Sequence, residues 1–400
     1  MDVVEWTSMA TFERTHPWLQ FRVDLRDALA ELWIRLGEAA SKCEHLSRVP
    51  LRPDMHQKLH RLYLAKGAAA TTAIEGNTLS EEQVLAAVDG ELSVPPSKQY
   101  QKQEVENVIA ACNAIGNELT AGVAPELSVE RILAYNRQVL DKLPVEEDVR
   151  AGEFRRHSVG VGKYRGAPAE DCPLLVDRLC QWLAGPDFRG GEGQATVYAI
   201  LQAVLAHLYL AWIHPFGDGN GRTARLVEFH LLLAKGVPSP AAHLLSKHYN
   251  QTRAEYYRQL DRASTSGGDV IPFVCYAVQG LVDGLREQLE FVWGQQWDVT
   301  WRHYVHELFQ NKSSRSETRQ RHLALDLGTK NDWVAVSEIP DLSPRLARGY
   351  AGKTPKTVQR DLGVLEHLNL IQREPRRVRA RREIIFAFLP LRRAAETAHD

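Results

Sequence analysis

The sequence has few of the features that mark secreted proteins. Five cysteines occur in 400 residues, and they are scattered, odd in number and without a Cys-x-x-Cys pair. This argues against a disulfide framework or a cysteine-based zinc site and favours a reducing compartment. The opening residues MDVVEWTSMA contain no basic stretch leading into an apolar run, so no secretory signal is expected. We therefore expect a cytoplasmic protein.

The sequence is also interpreted as lacking long apolar runs. None is expected to approach the roughly 18 uncharged residues that a membrane-spanning helix needs, so no membrane partner is predicted. Hydrophobic residues make up 44% and charged residues 25% of the chain, which is ordinary for a globular protein. The length of 400 residues exceeds one small core and predicts two or three domains.

Charge is balanced overall but unevenly distributed. Residues 301–400 contain 19 Lys and Arg against 12 Asp and Glu, whereas residues 1–300 contain 30 against 38. An acidic body with a basic C-terminal region indicates two functions on one chain. Chance clustering of solvated charges gives the same pattern, so this reading has an alternative.

Most of residues 1–300 is predicted to be helical. Gln194–Ile213 is apolar nearly all round, which predicts a buried central helix. A Gly-rich break follows, and a second helix is predicted from about Thr223 to Lys235. Residues 154–168 alternate and contain glycines and a proline, which predicts a short hairpin. Apolar residues at spacings of three and four predict further helices at 53–73, 80–88, 101–119 and 128–142.

The pattern changes after about residue 300. Residues 354–368 begin with Thr-Pro, a helix start, and place Val358, Leu362 and Leu365 on one face. The segment LIQRE, a basic stretch at 376–382 and the strand-like IIFAFL at 384–389 follow. This order predicts a winged helix-turn-helix.

The break between the two central helices, residues 214–225, reads HPFGDGNGRTAR and predicts a phosphate site with a base beside it. Three glycines allow a tight turn, and backbone amides at the start of a helix favour an anion. Arg222 and Arg225 are three apart and can bind phosphate oxygens. Asp218 is a hard oxygen ligand suited to Mg²⁺. His214, with an ordinary pKa of about 6.5, can accept a proton from a hydroxyl.

This segment resembles the Fic signature HPFx[D/E]GNGRxxR at every fixed position. The resemblance implies that His214 deprotonates a Ser, Thr or Tyr hydroxyl, which then attacks the α-phosphorus of ATP. It implies that Asp218 holds Mg²⁺ and that the nucleotide is bound by the residues of the following turn, namely Gly219, Asn220, Gly221, Arg222, Thr223, Ala224 and Arg225. The related Doc toxins, which phosphorylate, have lysine where this chain has Gly221, so glycine favours AMP transfer.

Two further segments extend the resemblance. Residues 151–155 (AGEFR) followed by Val159, Gly160 and Val161 are similar to the flap hairpin of the family, which pairs with the target as an added strand. Tyr257 resembles the tyrosine that lines the adenine pocket, although Tyr256 and Tyr257 also fit an aromatic pair in the core. A P-loop at 160–163 is rejected, because its glycine spacing and the following residue do not fit.

Residues 71–77 (TTAIEGN) resemble the inhibitory motif [S/T]xxxE[G/N] of the family. Thr71 and Glu75 are four apart on a helix face of small residues, and Gly76 can cap its end. The resemblance implies that Glu75 pairs with Arg225 and withholds it from the γ-phosphate. An ordinary glutamate at a helix end is the alternative. In some relatives the same glutamate helps to remove AMP, and that reverse reaction stays open here.

The sequence therefore predicts a mainly α fold with three parts: an N-terminal helical region at 1–110, a Fic core with a short β-hairpin flap at 111–290 and a winged helix at 300–390. The leading hypothesis is a self-inhibited adenylyltransferase that uses ATP and Mg²⁺ and modifies a target protein or itself. A nucleotide-sensing transcription regulator that binds DNA through the winged helix, with a weakly active or idle core, is the alternative. The winged helix also fits dimerisation or target docking. A homodimer that buries or exposes the Glu75 helix is compatible with the sequence.

Overall fold

The structure is a computed structural model, and the description covers residues 11–26, 28–51, 53–122, 126–162, 164–330 and 332–385. The chain forms two compact units, and the boundary between them falls between Leu289 and Glu290. The three domains expected at 1–110, 111–290 and 300–390 stay a prediction.

The first unit is built from helices and one small hairpin. In chain order its elements are α1 (Thr11–Thr15), α2 (Ala30–Arg48), α3 (Pro53–Ile74), α4 (Glu81–Val88), α5 (Gln99–Thr120), α6 (Val129–Val139), β1 (Gly160–Val161), β2 (Tyr164–Arg165), α7 (Cys172–Leu183), α8 (Ala195–Ile213), α9 (Asn220–Ala234), α10 (Ser239–Ala242), α11 (Leu244–Gln251), α12 (Arg253–Thr265) and α13 (Ile271–Leu308), within which the unit boundary falls. The expected mainly helical architecture is confirmed.

Helix α8 is the centre of this unit. Of its 19 residues, 14 are buried, and it packs against α2, α7, α9 and α12. The expectation that no apolar run reaches the length of a membrane span was wrong. Gln202 and His207 are polar but uncharged, so they do not interrupt the run, and α8 is long and apolar enough to span a membrane by length and composition. In this structure 78% of that stretch is buried inside the protein.

Helix α3 approaches its neighbours closely because its C-terminal half is made of small residues. Ala65, Ala68 and Ala70 are buried, and α3 packs against α4, α5, α9 and α11. A Cβ added at Gly67 would lie 2.2 Å from Nδ1 of His243. This close packing sets the C-terminal end of α3 beside the first turn of α9.

The predicted hairpin is confirmed, but it is shorter than the 154–168 segment. Its strands β1 and β2 have two residues each and pair antiparallel, with Gly160 opposite Arg165 and Val161 opposite Tyr164. The second central helix begins at Asn220, three residues earlier than predicted, so the residues Gly-Arg-Thr lie in its first turn.

The second unit combines α14 (Arg315–Leu327), α15 (Pro344–Tyr350) and α16 (Pro355–His367) with three short strands. These are β3 (Val334–Ala335), β4 (Ile371–Arg373) and β5 (Arg377–Ala380), which form an antiparallel sheet in the order β3-β5-β4. Val358, Leu362 and Leu365 are buried on one face of α16, as predicted.

The strand predicted at 384–389 is corrected. Ile384 and Ile385 belong to a 3₁₀ turn, Arg382–Ile385, and 386–389 lie outside the described residues. The strand lies earlier, in the basic stretch, where Val378 and Ala380 face the core and alternate with Arg377 and Arg379 on the outer face. Whether this unit is a winged helix stays a prediction.

A buried ion pair joins α14 to α16. Arg319 Nε donates to Asp361 Oδ2 at 2.6 Å, and Gln320 and the hydroxyl of Tyr350 donate to the same carboxylate, which is fully buried. Because three donors satisfy this carboxylate, removing the guanidinium leaves a buried charge only partly compensated.

We predict that Arg319→Met destabilises the second unit by about 3–5 kcal/mol, the usual cost of breaking a buried pair from one side. Hydrogen exchange of the α14 and α16 amides measures this as a lower opening free energy, with exchange in the first unit unchanged. Arg315→Met, an exposed position on the same helix, serves as the control. If Arg319→Met and Arg315→Met lowered the opening free energy equally, the stabilising role assigned to the ion pair of Arg319 with Asp361 would be contradicted.

Candidate active site

The junction between α8 and α9 has a strained, closed backbone. His214 ends α8 in the left-handed region with φ 50°, and Gly219 precedes α9 with φ 75°. The amide side chain of Asn220 closes the intervening loop, accepting from the backbone N of Phe216 at 2.9 Å and donating to its carbonyl at 2.7 Å. A non-glycine residue at positive φ is uncommon and persists only where its surroundings hold it.

The first turn of α9 offers unpaired amides. No side chain caps this helix, whose N-cap is Gly219. The first N–H groups of a helix have no partner within it, and together with the helix dipole they favour an anion. Asn220, Thr223 and Ala224 are buried in this turn and fix its position.

His214 lies partly buried beside this turn. Burial lowers its pKa to about 4, since the imidazolium would lose hydration, and the charge of Arg155 acts in the same direction. Its Nδ1 is 3.3 Å from the carbonyl oxygen of Ala211. A carbonyl only accepts, so this contact favours the tautomer with the proton on Nδ1, which leaves Nε2 as the acceptor.

A cavity of about 480 Å³ connects these groups. Its wall is formed by Glu75, His214, Gly221, Arg225 and Tyr257, together with Trp212, Tyr256 and Leu260 among others. The structure therefore brings Tyr257 to the same cavity as His214. Tyr256 also lines this cavity but is buried, and its hydroxyl lies 2.9 Å from Nε2 of His207.

Arg225 is bound by the end of α3. Its Nε donates to Thr71 Oγ1 at 2.6 Å, and its Nη2 donates to the carbonyl oxygen of Thr71 at 3.0 Å and to Glu75 Oε1 at 2.5 Å. Gly76, with φ 102°, ends this helix, so the backbone turns away directly after Glu75. The contact between Glu75 and Arg225 expected from the motif is present.

The charges of this pair support each other. Burial opposes the ionised form of Glu75, but the charge of Arg225 and its hydrogen bond outweigh this effect and hold the pKa of Glu75 below its usual range. The pKa of Arg225 is raised, because the Glu75 charge outweighs burial of the guanidinium. Glu75 is therefore an anion at neutral pH, and it lies beside the anion site.

Gly221 lies against the Glu75 carboxylate. A Cβ added there would be 2.3 Å from Glu75 Oε1 and 3.0 Å from Nη1 of Arg225. A side chain at this position would therefore displace the carboxylate or the guanidinium. The absence of a side chain at Gly221 is a condition of the Glu75–Arg225 contact.

Sequence reasoning missed Glu104. This residue of α5 accepts from Arg222 Nη1 at 2.7 Å and from the side-chain amide of Asn77 at 3.0 Å. Burial raises its pKa, although the charge of Arg222 opposes the shift. Nothing in the segment QKQEVENV separates Glu104 from its neighbouring glutamate, because only the packing of α5 against α9 makes it a partner of Arg222.

Asp218 is the residue that could bind a metal. Its Oδ1 accepts from Arg222 Nη2 at 3.2 Å, and 47% of its side chain is exposed at the anion site. Among the described residues no group of three or more His, Cys, Asp or Glu could hold a metal ion. One carboxylate fits Mg²⁺ that arrives with a phosphate ligand and water, since Mg²⁺ is commonly held in this way.

The predicted flap lies next to the junction. Val159 accepts from the backbone N of Gly166 at 3.1 Å, and Gly160 and Val161 form β1. The hydroxyl of Tyr164, in β2, donates to the carbonyl oxygen of Trp212 at 2.7 Å and lines the cavity. The flap, the histidine and the anion site are therefore neighbours.

Comparison with known sequences connects this geometry to a family. The Fic/DOC family profile matches residues 126–232. Over 209 residues the chain is 33% identical to protein adenylyltransferase fic-1 of Caenorhabditis elegans, covering 52% of this chain and 38% of that protein. It is 32% identical over 204 residues to protein adenylyltransferase Fic of Drosophila melanogaster, covering 51% and 38%. The chain spans less than half the length of these curated relatives.

Solved structures share the fold. A Fic family protein from Desulfovibrio desulfuricans G20 aligns with a TM-score of 0.55 over 90% of this chain and 97% of that one, at 22% identity, a likeness of fold alone. Fic-1 of C. elegans (residues 134–508) aligns with a TM-score of 0.50 over 65% and 72%, at 26% identity. The predicted mainly α fold with a Fic-type core and a hairpin flap is confirmed.

We predict that the imidazole of His214 titrates far below 6.5, close to 4, because burial disfavours its charged form. The folded state favours the uncharged ring, and the resulting stabilisation is complete above the unfolded pKa of about 6.5. That contribution is lost as the pH falls towards the folded value. Glu75→Gln should lower the pKa further, since the carboxylate charge raises it. NMR titration of the ring, assigned with His214→Ala and compared with the urea-unfolded chain, measures both. Titration near 6.5 would contradict the prediction.

The motif, the cavity and the matched segment all centre on one helix junction. Residues 126–232 contain α6, the hairpin, α7, α8 and most of α9, which together build that junction. This part of the chain matches the Fic/DOC family profile and is similar to the corresponding segments of proteins named protein adenylyltransferase.

Proposed function

We propose that this protein is an adenylyltransferase that transfers AMP from ATP to a Ser, Thr or Tyr hydroxyl of a target protein or of the chain itself. The observation that carries the proposal is the neutral His214 at the wall of a cavity that also contains the anion-binding turn of α9. The names of the relatives, protein adenylyltransferase fic-1 and Fic, support the same reaction. Gly221, in place of the lysine of the Doc toxins, supports AMP transfer over phosphate transfer.

In the proposed reaction the hydroxyl oxygen attacks the α-phosphorus while its proton passes to Nε2 of His214. The bond from the α-phosphorus to the oxygen bridging to the β-phosphate breaks, and pyrophosphate leaves. The α9 amides, Arg222 and Arg225 bind the phosphates and stabilise the developing charge. Tyr257 contacts the base of the nucleotide, and the flap at 159–161 positions the target segment. Mg²⁺ held by Asp218 supplies further charge neutralisation when bound.

The same geometry supports self-inhibition. Arg225 donates three hydrogen bonds to Thr71 and Glu75, so it has little capacity left for a γ-phosphate. Glu75 also places a negative charge at the wall of the cavity, which disfavours a polyphosphate. In the proposal ATP reacts only when the end of α3 withdraws Glu75 from Arg225.

We predict that Glu75→Gly raises AMP transfer about tenfold or more, which corresponds to roughly 1.4 kcal/mol of removed inhibition. Self-labelling with α-labelled ATP and Mg²⁺ measures the rate, and Glu75→Gly/His214→Ala should show none. Glu91→Gly, an exposed glutamate in the following loop, is the matched control and should leave the rate unchanged.

An unchanged rate for Glu75→Gly would contradict the inhibitory role. Label that persists without His214 would contradict its role as the base. Label from γ-labelled ATP in place of α-labelled ATP would identify phosphate transfer. Silence with both nucleotides would leave the DNA-binding alternative.

The second candidate function, DNA binding, is supported by the second unit. Lys356, Gln359 and Arg360 are exposed on the outer face of α16. On the neighbouring sheet Arg377 and Arg379 both lie over the ring of Trp333, with centroid distances of 4.9 and 5.2 Å. An exposed helix face with basic residues, flanked by a strand with two arginines, fits a groove and the adjoining phosphates.

We predict that the chain binds duplex DNA and that Lys356→Ala/Arg360→Ala weakens this binding. Loss of two phosphate contacts should reduce the slope of log affinity against log salt by about two. Fluorescence anisotropy with a labelled duplex at several salt concentrations measures it. Arg48→Ala/Arg258→Ala removes the same charge from exposed positions of the first unit. Equal losses in both variants would show unspecific attraction.

A further inference from the structure

The C-terminal end of α8 is capped by the flap. Helices leave their last carbonyl groups without intrahelical partners, and here four successive carbonyls accept from one segment. Trp212 accepts from the hydroxyl of Tyr164, Ile213 from the backbone N of Ala167, and His214 and Pro215 from Arg155. The segment that carries the flap is therefore joined to the backbone of the histidine.

Arg155 makes most of these contacts. The residue is 4% exposed, and among the described residues no carboxylate lies within ion-pair distance of it. Its Nε donates to the carbonyl of His214 at 2.7 Å, and its Nη1 donates to that of His157 at 2.7 Å. Its Nη2 donates to the carbonyl of Ala167 and, at 3.4 Å, to that of Ile213. The backbone N of Arg155 donates to Pro215 at 3.0 Å.

This arrangement needs a guanidinium. A planar fork with donors on three nitrogens reaches carbonyls on both sides at once, whereas an ammonium has one donor centre. Burying a cation without a counter-ion costs free energy unless its donors are hydrogen-bonded. Here the backbone carbonyls around Arg155 accept from the buried guanidinium and offset that cost. Two of the acceptors, His157 and Ala167, border the hairpin, and two others, Ile213 and His214, end α8.

Gly166 shows how close the two segments are. A Cβ added there would lie 2.8 Å from Cβ of His214 and 3.0 Å from Nη2 of Arg155. The backbone after β2 thus packs directly on the histidine and on the guanidinium. A shift of one segment therefore requires a shift of the other.

We propose that Arg155 is a positioning residue that fixes the backbone of His214 and the base of the flap as one rigid body. The base and the hydroxyl presented by the flap then keep a constant separation while the end of α3 moves. This inference rests on the proposed AMP transfer for its catalytic consequence, but the coupling itself is a property of the backbone. Arg155 acts through the carbonyls that it binds and does not contact the substrate.

The test uses the full chain with Glu75→Gly, carrying Arg155→Lys or Arg155→Met. A misplacement of about 1 Å can cost about 100-fold in rate, so we expect self-labelling at saturating ATP to fall by this order in both variants. The KM for ATP and the affinity for ATP measured by calorimetry should stay within about twofold, because Arg222 and Arg225 are untouched. Addition of millimolar methylguanidinium should restore part of the rate to Arg155→Ala.

Arg156→Met is the matched control. Arg156 follows directly in the chain, its side chain is 91% exposed, and it lies 3.8 Å from Glu153. The Arg156→Met substitution removes the same charge from the same segment without removing a carbonyl contact, and this variant should keep the full rate. A full rate in Arg155→Lys would overturn the proposal, because charge alone would then suffice. A parallel loss of ATP affinity would also overturn it, because the fault would then be general.

Hydrogen exchange tests the coupling between the backbone of His214 and the base of the flap without an activity measurement. In Arg155→Met the amides of His214 and Ala167, which donate to Leu210 and Ile213, should both exchange faster, while α5 and α6 stay protected. Faster exchange of only one of these amides would overturn the coupling. If Glu75→Gly with intact Arg155 gives no label, the proposed AMP transfer fails, and this exchange experiment still decides the role of Arg155.

Discussion

The end of the buried helix α8 is the constraint on which the site depends. An apolar helix in the centre of the unit must stop beside a cavity, and its last carbonyls need donors there. The flap segment supplies these donors through Arg155, Ala167 and Tyr164. His214, which lies in the left-handed region, is part of the backbone that these contacts bind, so the capping of the helix and the position of the histidine depend on the same segment.

The start of α9 presents hydrogen-bond donors, whereas the end of α8 presents acceptors. The first-turn amides and two arginines of α9 can bind an anion, and in this structure carboxylates from upstream segments pair with those arginines. Glu75 binds Arg225 and Glu104 binds Arg222, with Asn77 joining the end of α3 to Glu104. A polyphosphate would compete for the same donors. Glu75 and Arg225 line the cavity, so the position of the end of α3 affects the charge at the cavity wall.

Much of the site could be predicted because its residues are consecutive. The twelve residues from His214 to Arg225 form one junction, and their local chemistry needs only a helix end, glycines and a helix start. Thr71 and Glu75 were predicted from their spacing and their resemblance to a motif. Glu104 was not predicted, because a glutamate on a surface-like helix carries no signal until tertiary packing gives it a partner. Arg155 was identified only as part of the flap segment 151–155, and its contacts with the end of α8 could not be predicted from the sequence.

The sequence by itself determined the buried helix, the Gly-rich turn, the hairpin and the helical character of the chain, since these depend on periodicity and on backbone preferences of nearby residues. It misjudged the length of the apolar run and the position of the last strand, where polar uncharged residues and alternating arginines obscure the pattern. The tertiary structure alone decided which carboxylate meets which arginine and which donors cap α8. Tyr164 and Trp212 are 48 residues apart in sequence and Glu75 and Arg225 are 150 apart, so only packing brings these partners within hydrogen-bond distance.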